Sequence, residues 1–406
     1  MTEPAIPAAE GPELHLAALP FPTYQGTQAA VLGMLEARTR QGHAAELFTY
    51  GTRTRDYPLA PTFTLHRTPS WQAISQRSGP SWPKVALDVC MGVQLHALVR
   101  RTRPRLLIAH HAEAMSLACT LPELPCVFFA HTDLSAELPT YSLQRYSKPL
   151  ELAGRALDRT LCRRASAIAG ISPNLCERLG ALSDRRACYV PTPWPLPEPI
   201  RPAERAEARL AMGLAADALV ALYAGNLDAY QDAERILAAL RLVGIESRRR
   251  ITLLLATRSD SSNFLQHAIQ LGVAFRTCQL GGEPIRRMLH AAADFAIVPR
   301  GIPGGLPIKL LDALARGLPC AVMPHATAGL SITDAVLCAK AHTTAALAAA
   351  ISTLASQPGL RRELARRGRR YVANEHNDER FCQALDEVAT EARQLHVLPT
   401  ANARFR

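Results

Sequence analysis

Residues 294–322 read D-F-A-I-V-P-R-G-I-P-G-G-L-P-I-K-L-L-D-A-L-A-R-G-L-P-C-A-V, and the rest of the chain is interpreted outward from them. Phe295 to Val298 has the length and composition of a strand buried on both faces of a parallel sheet. Arg300 follows, then a glycine-rich turn from Gly301 to Gly305. Pro307 falls at the expected first helical position, where its missing N–H costs nothing. Ile308, Leu311 and Ala315 recur at helical spacing, Gly317 ends the helix in a left-handed conformation, and Pro319 to Met323 starts the next strand. Strand, glycine turn, helix and strand in a parallel sheet place the helix start at the carboxyl edge, where anions bind. Arg300 and Lys309 bracket that point, which suits a diphosphate.

Lys309 and Asp312 admit two explanations. They stand three apart on one helix face, so a surface ion pair is the plain account, and Asp312 with Arg316 is the better-spaced helix pair. Lys309 fits that account less well, because a cation in the first turn opposes the helix dipole. It is also one of only four lysines among 46 basic residues.

The segment P-x-x-x-x-G-G-L-P-I-K-L-L-D-A-L-A-R-G-L-P resembles the nucleotide-sugar site of glycosyltransferase family 4, whose fold is GT-B. The family usually carries two glutamates eight residues apart; here Gly304 and Asp312 occupy those positions. The resemblance implies a ribose contact for Asp312 and the loss of a sugar contact at Gly304. Some branches of the family carry arginine, glycines and P-x-K instead, and this chain is similar to those. Gly304, Gly305, Leu306 and Pro307 are then donor-binding, and Arg300 and Lys309 supply catalytic charge.

With 406 residues, 48% hydrophobic and 20% charged, the chain suits two globular domains. Met1 to Glu13 is Pro/Ala-rich and acidic, which reads as a loose tail and not a signal peptide. Ten cysteines include no C-x-x-C pair, so buried free thiols in a reducing compartment are expected and metal-ligand spacing is lacking. The net charge of +11 raises nucleic acid as a rival partner. Aromatic content of 5% and the lack of a nucleic-acid motif argue against it. Anionic membrane surface and phosphate-bearing substrates explain the charge equally well.

In chain order, Leu14 to Leu19 is a first strand, and Thr27 is expected to cap a helix ending at Gly42. Ala45 to Tyr50 is the second strand. Residues 52–83 hold no convincing helix and read in part as an acceptor-side loop. A helix from Lys84 to Thr102 and a strand from Arg105 to His110 follow. His111 lies at the carboxyl end of that strand, and Pro125 to Ala130 is another, leading into H-T-D-L-S-A-E. The residues alone leave His131 as either a functional group or a histidine capping the next turn.

Pro191 to Pro202 is too proline-rich for helix or central strand and reads as a stiff linker. The alternation then restarts, with the strand from Val220 to Ala224 ending in G-N-L-D-A-Y-Q-D. Helices at Glu283–Ala292, Thr343–Ser356, Leu360–Val372 and Arg380–Leu395 are expected, the last crossing back to the first half.

The resemblance assigns roles along this path. Gly26 and Thr27 correspond to the family's first glycine-rich loop, between donor and acceptor. His131 resembles its donor-facing histidine; His111, Asp133 and Glu137, at or just beyond strand ends, are read from their position as acceptor contacts. After the first strand of the second half, the family carries arginine and lysine on the donor phosphates. Here Asn226 and Gln231 stand there beside Gly225, so two expected cations are missing.

The expected fold is α/β of GT-B type, with two doubly wound Rossmann-like parallel-sheet domains facing across a cleft. The expected divisions are tail 1–13, N-terminal domain 14–190, linker 191–202, C-terminal nucleotide-sugar domain 203–375, and a crossing helix with tail at 376–406. The resemblance implies a retaining, metal-independent transferase with no cofactor. It would move sugar from a nucleotide diphosphate sugar to a glycan or lipid-linked acceptor in cell-surface synthesis. Its expected location is cytoplasmic, with peripheral contact to anionic membrane and no nucleic-acid partner. A sugar-nucleotide epimerase and a non-catalytic assembly protein of the same fold remain as alternatives.

Overall fold

The computed structural model describes residues 11–23, 25–51, 61–69, 82–141 and 146–397. In the first half, alternating apolar runs form strands β1 (Glu13–Pro20), β2 (Ala45–Tyr50), β3 (Thr64–Arg67), β4 (Leu106–His110), β5 (Cys126–Ala130), β6 (Ala167–Gly170) and β7 (Ala187–Tyr189). They make one seven-stranded sheet in the order β3-β2-β1-β4-β5-β6-β7, every pair parallel. The second half supplies β8 (Leu219–Ala224), β9 (Ile251–Thr257), β10 (Phe275–Gln279), β11 (Phe295–Val298), β12 (Cys320–Val322) and β13 (Leu337–Cys338). These form a separate six-stranded parallel sheet, β10-β9-β8-β11-β12-β13.

Both sheets are doubly wound, with the strand order reversing between β1 and β4 and between β8 and β11. Reversal sends neighbouring connections to opposite faces, which opens a crevice at the carboxyl edge. The first sheet is crossed by helices α1 (Gly26–Arg40), α2 (Trp82–Thr102), α3 (His111–Ala118), α4 (Leu134–Glu137), α5 (Ser147–Arg164) and α6 (Pro173–Ser183). The second carries α7 (Pro202–Ala211), α8 (Glu234–Leu242), α9 (Ile245–Arg250), α10 (Ser262–Gln270), α11 (Glu283–Ala292), α12 (Ile308–Ala315), α13 (Thr344–Ser356) and α14 (Pro358–Glu375). The final helix, α15 (Asp378–Val397), packs on the first sheet and on α1.

That return is anchored by charge. Arg38 of α1 is fully buried and reaches Glu13 at 2.6 Å and Asp386 of α15 at 2.8 Å. Burial pushes the Glu13 carboxyl up, but hydrogen bonds and charge from Arg38 win and hold it at about 2. Glu13 therefore belongs to β1 and not to the tail, because this guanidinium compensates its burial. The linker is pinned as well. The His376 ring meets the Thr192 carbonyl at 2.8 Å, and Trp194 N–H donates to the His376 carbonyl at 2.8 Å.

Several local expectations are corrected. The helix expected from Thr27 begins at Gly26, with Gln25 in the capping position and no side-chain cap. Pro307 caps α12 from outside instead of opening it. Residues 64–67 form an edge strand within the stretch read as loop, whose remainder lies largely outside the described residues. Helices α3 and α6 were not expected; Ser172 caps α6 by accepting from Leu175 N–H at 3.3 Å. Among the described residues no helix is long and apolar enough to cross a membrane.

Candidate functional site

The carboxyl edges of the two sheets meet around the glycine turn that follows β11. Gly304 has φ +77° and Gly305 φ +43°, a region that favours glycine. A Cβ on Gly304 would lie 2.6 Å from Asp133 Oδ1, and one on Gly305 would lie 2.8 Å from both His131 O and Arg300 Nη2. The glycine pair is therefore a seat for the segment after β5 as well as a turn. Its amides are not all bare, as Gly304 N–H donates to Asn174 Oδ1 at 3.2 Å and Gly301 N–H to the Tyr230 carbonyl at 3.0 Å. Leu306 packs into the core. Gly26 permits a second close approach: a Cβ there would already touch the Ile308 side chain at 3.4 Å.

Two basic groups stand in this crevice with no carboxylate in salt-bridge contact among the described residues, while Glu137 and Asp133 act on Arg300, and Asp228 on Lys309, from farther away. Arg300 is 4% exposed, its Nε has no hydrogen-bond partner, and it lies 5.8 Å from the Tyr230 ring centroid. Burial lowers its pKa. Lys309 Nζ donates to Tyr223 Oη at 3.0 Å and Gln231 Oε1 at 2.9 Å. Burial, then the charge of Arg300, brings Lys309 down to about 7. Its ammonium occupies the space left by Gly225, where a Cβ would come within 2.7 Å of Nζ. Asn226 is held by its own turn, Nδ2 donating to Asp228 at 2.6 Å. Burying an unpaired cation costs several kcal/mol in the absence of a counter-charge, so this crevice is suited to an anion.

The remaining candidates separate into two groups. Asp312 is buried, but it accepts from Arg316 Nε at 3.0 Å and has Arg286 and His290 at 3.6 and 3.8 Å. Burial alone would raise its pKa, and the cations around it bring it down. These contacts account for the carboxylate without a ligand, as its spacing to Arg316 allowed. Glu137 accepts from Thr132 and Tyr141 hydroxyls. Asp133 accepts through Oδ2 from Arg178 Nε at 3.0 Å and Ser135 Oγ at 2.8 Å, leaving Oδ1 buried and unpartnered against Gly304.

His131 does not cap the next turn; Asp133 stands in the N-cap position of α4. Its ring stacks on His111, with centroids 4.7 Å apart, and its Nε2 meets His110 Nδ1 at 3.0 Å. His111 opens α3 with φ +70°, a strained value outside glycine. Its Nε2 lies 3.4 Å from Thr27 Oγ1, which links the loops after β1 and β4. Burial holds His131 well below the ordinary histidine range, so it is neutral.

The sequence reading missed Tyr223, Tyr230, Arg178, His15 and His110. The contacts of the first three to Lys309, Arg300 and Asp133 cross long stretches of chain. The two histidines carried a visible signal, since His15 interrupts the apolar run of β1 and His110 ends the otherwise apolar β4. A group that could coordinate a metal, Glu13, His43 and Asp386, already surrounds the Arg38 guanidinium.

A model described as "Glycosyl transferase 4-like domain" matches residues 25–193, and one described as "Glycosyl transferases group 1" matches residues 204–371. A search of curated proteins finds no match. Among solved structures, sucrose-phosphate synthase from Thermosynechococcus elongatus aligns with TM-score 0.76 at 18% identity, over 95% of this chain and 99% of that one. WaaG, a glycosyltransferase involved in lipopolysaccharide biosynthesis, aligns with TM-score 0.70 at 17% identity, over 93% and 99%. Anabaena HepE in complex with UDP and glucose aligns with TM-score 0.70 at 15% identity, over 94% and 100%.

Proposed function

Because the chain belongs to the group 1 glycosyltransferases, family 4, with the GT-B fold, we propose that it transfers sugar from a nucleoside-diphosphate sugar to a hydroxyl acceptor. The proposed reaction retains anomeric configuration and needs neither metal nor cofactor. Its proposed setting is cell-surface glycan or glycolipid synthesis in a bacterial cytoplasm, with peripheral contact to anionic membrane. The observation that carries the reading is the pair of basic groups, buried Arg300 and part-buried Lys309, with no carboxylate in salt-bridge contact among the described residues.

In this reading the glycosidic C–O bond to the diphosphate lengthens and negative charge grows on the departing phosphate oxygen. Arg300 and Lys309 stabilise that charge more strongly in the transition state than in the ground state, which is the condition for acceleration. The expected cations at Asn226 and Gln231 are absent, and Lys309 brings an ammonium to Gln231 from the opposite element. His131, held after β5, hydrogen-bonds the transferred sugar or the leaving oxygen. The acceptor hydroxyl attacks on the face the diphosphate leaves, and its proton passes to a phosphate oxygen. Support for a nucleotide-sugar donor also comes from the HepE complex with UDP and glucose.

The test is a thermal-shift and calorimetric series with UDP, GDP, ADP and their sugar conjugates, followed by product analysis with glycan and lipid-linked acceptors. Stabilisation by one nucleoside diphosphate and acceptor-dependent sugar transfer are expected. Epimerised donor without acceptor, or no nucleotide binding at all, would overturn the reading.

A further inference from the structure

Three imidazoles cross the first sheet on a diagonal. His15 lies opposite Ile108 in the β1–β4 register, and His110 is two residues beyond Ile108. His110 lies opposite Phe129 in the β4–β5 register, and His131 is two residues beyond Phe129. Side chains two apart share a face, so each step moves one strand over and two residues toward the carboxyl edge. The rings meet: His15 Nδ1 to His110 Nε2 is 3.0 Å, and His110 Nδ1 to His131 Nε2 is 3.0 Å. His15 and His110 are stacked, with centroids 5.2 Å apart. None of the three is more than 4% exposed.

This geometry leaves few proton arrangements. Burial lowers the pKa of all three rings, His15 to about 4, so each carries one N–H at neutral pH. Each nitrogen–nitrogen contact needs one proton and one lone pair. If His15 is protonated on Nδ1, His110 must accept on Nε2 and carry its proton on Nδ1. His131 must then do the same. The opposite choice puts all three protons on Nε2. The two arrangements differ only at the ends, His15 Nε2 and His131 Nδ1, neither of which has a partner among the described residues.

The ends are not equivalent. Protons on Nε2 would leave an N–H buried at His15 without an acceptor, beside a Glu13 whose oxygens already take Arg38 and Arg105. Orphaned buried N–H groups are rarer than under-used acceptors. Protons on Nδ1 place the one free N–H at His131, as buried and unpartnered as the His15 end in the free protein, but at the carboxyl edge, where a sugar nucleotide would supply an acceptor.

We propose that His15, His110 and His131 form a locked tautomer chain, all protonated on Nδ1, which makes His131 a fixed neutral hydrogen-bond donor to the sugar nucleotide. His15 and His110 are positioning residues that act through His131. The donor role and the choice of Nδ1 over Nε2 both rest on the transferase reading above; the linked chain of three neutral rings does not.

The test is a long-range proton–nitrogen correlation spectrum of the histidine-labelled free protein at neutral pH, assigned with His15→Gln, His110→Gln and His131→Gln. Three Nδ1–H patterns are expected. Three Nε2–H patterns, a mixed set or a charged ring would overturn the proposal. In kinetics, His15→Gln keeps an N–H able to donate to His110, whereas His15→Leu does not. Turnover is expected to fall about tenfold or more in His15→Leu, less than the roughly hundred- to thousandfold that follows direct loss of a catalytic donor, with substantial recovery in His15→Gln and little change in KM. Equal turnover in both variants, or losses that follow Tm, would reduce His15 to a packing residue. If no nucleotide binds while the Nδ1 pattern holds, the transferase reading fails and the tautomer chain stands.

Discussion

Lys309 Nζ lies 2.9 Å from Gln231 Oε1. The ammonium from the first turn of α12 thus stands beside one of the two positions after β8 where the family places a cation. The charge is supplied from the neighbouring strand's helix, and its partners are neutral oxygens.

Binding of a diphosphate should consequently be coupled to proton uptake. Free Lys309 titrates near 7, and an anion raises it by favouring the charged form. At pH 8 titrations in buffers of different ionisation enthalpy should show close to one proton taken up, with none at pH 6. Affinity should fall by up to about tenfold per pH unit above 7. The same lowered pKa affects stability: the folded lysine sheds its proton near 7 and the unfolded one keeps it to about 10.5, so this site's contribution rises with pH across that window. Lys309→Met should abolish the proton uptake and weaken binding without lowering Tm. Unchanged uptake in that variant would remove Lys309 from the anion site.

Arg300→Ala should weaken nucleoside-diphosphate binding by about 1.5–3 kcal/mol, roughly ten- to hundredfold, and lower turnover further. Arg300→Lys should recover only part, since a point charge cannot reproduce the guanidinium fork. Calorimetry on wild type and both variants decides it; equal affinities would make Arg300 irrelevant to the ligand.

Restoring a glutamate at position 304 should not restore a better site. Gly304 has φ +77° and its Cβ space is taken by Asp133 Oδ1, so Gly304→Ala should already cost about 1–3 kcal/mol of stability. Gly304→Glu should be worse, and Asp133→Gly in the same chain should recover part of the loss. Denaturant midpoints for the three variants check this, and a neutral Gly304→Ala would contradict the packing described.

Glu13→Gln should destabilise the protein by about 3–5 kcal/mol, because it breaks a buried pair and leaves the buried Arg38 only the half-exposed Asp386. Glu13 is held at about 2 against an ordinary 4.5. Its stabilisation is therefore complete above pH 4.5 and lost as pH falls toward 2. Unfolding curves from pH 2 to 6 should show that slope in wild type and not in the variant.

His131→Ala should cut turnover strongly and leave nucleotide-diphosphate affinity nearly intact, measured by single-turnover kinetics beside calorimetry. Lost folding stability with unchanged activity per folded molecule would assign the ring to packing alone.

Two parallel sheets, the glycine turn after β11 and the cations at Arg300 and Lys309 were legible in the chain itself. Those features are local: buried strands are continuous apolar runs, helix ends carry Pro and Gly, and four lysines make one of them conspicuous. The tertiary structure alone decided what each charged group faces. Asp312 meets Arg286 and His290 besides the Arg316 that its spacing offered, Lys309 turns to Gln231 and Tyr223, and Glu13 leaves the tail for a buried pair with Arg38. The diagonal of His15, His110 and His131 likewise exists only once β1, β4 and β5 are in register. Backbone periodicity is written in neighbouring residues, whereas electrostatic partners are chosen by proximity across strands far apart in sequence.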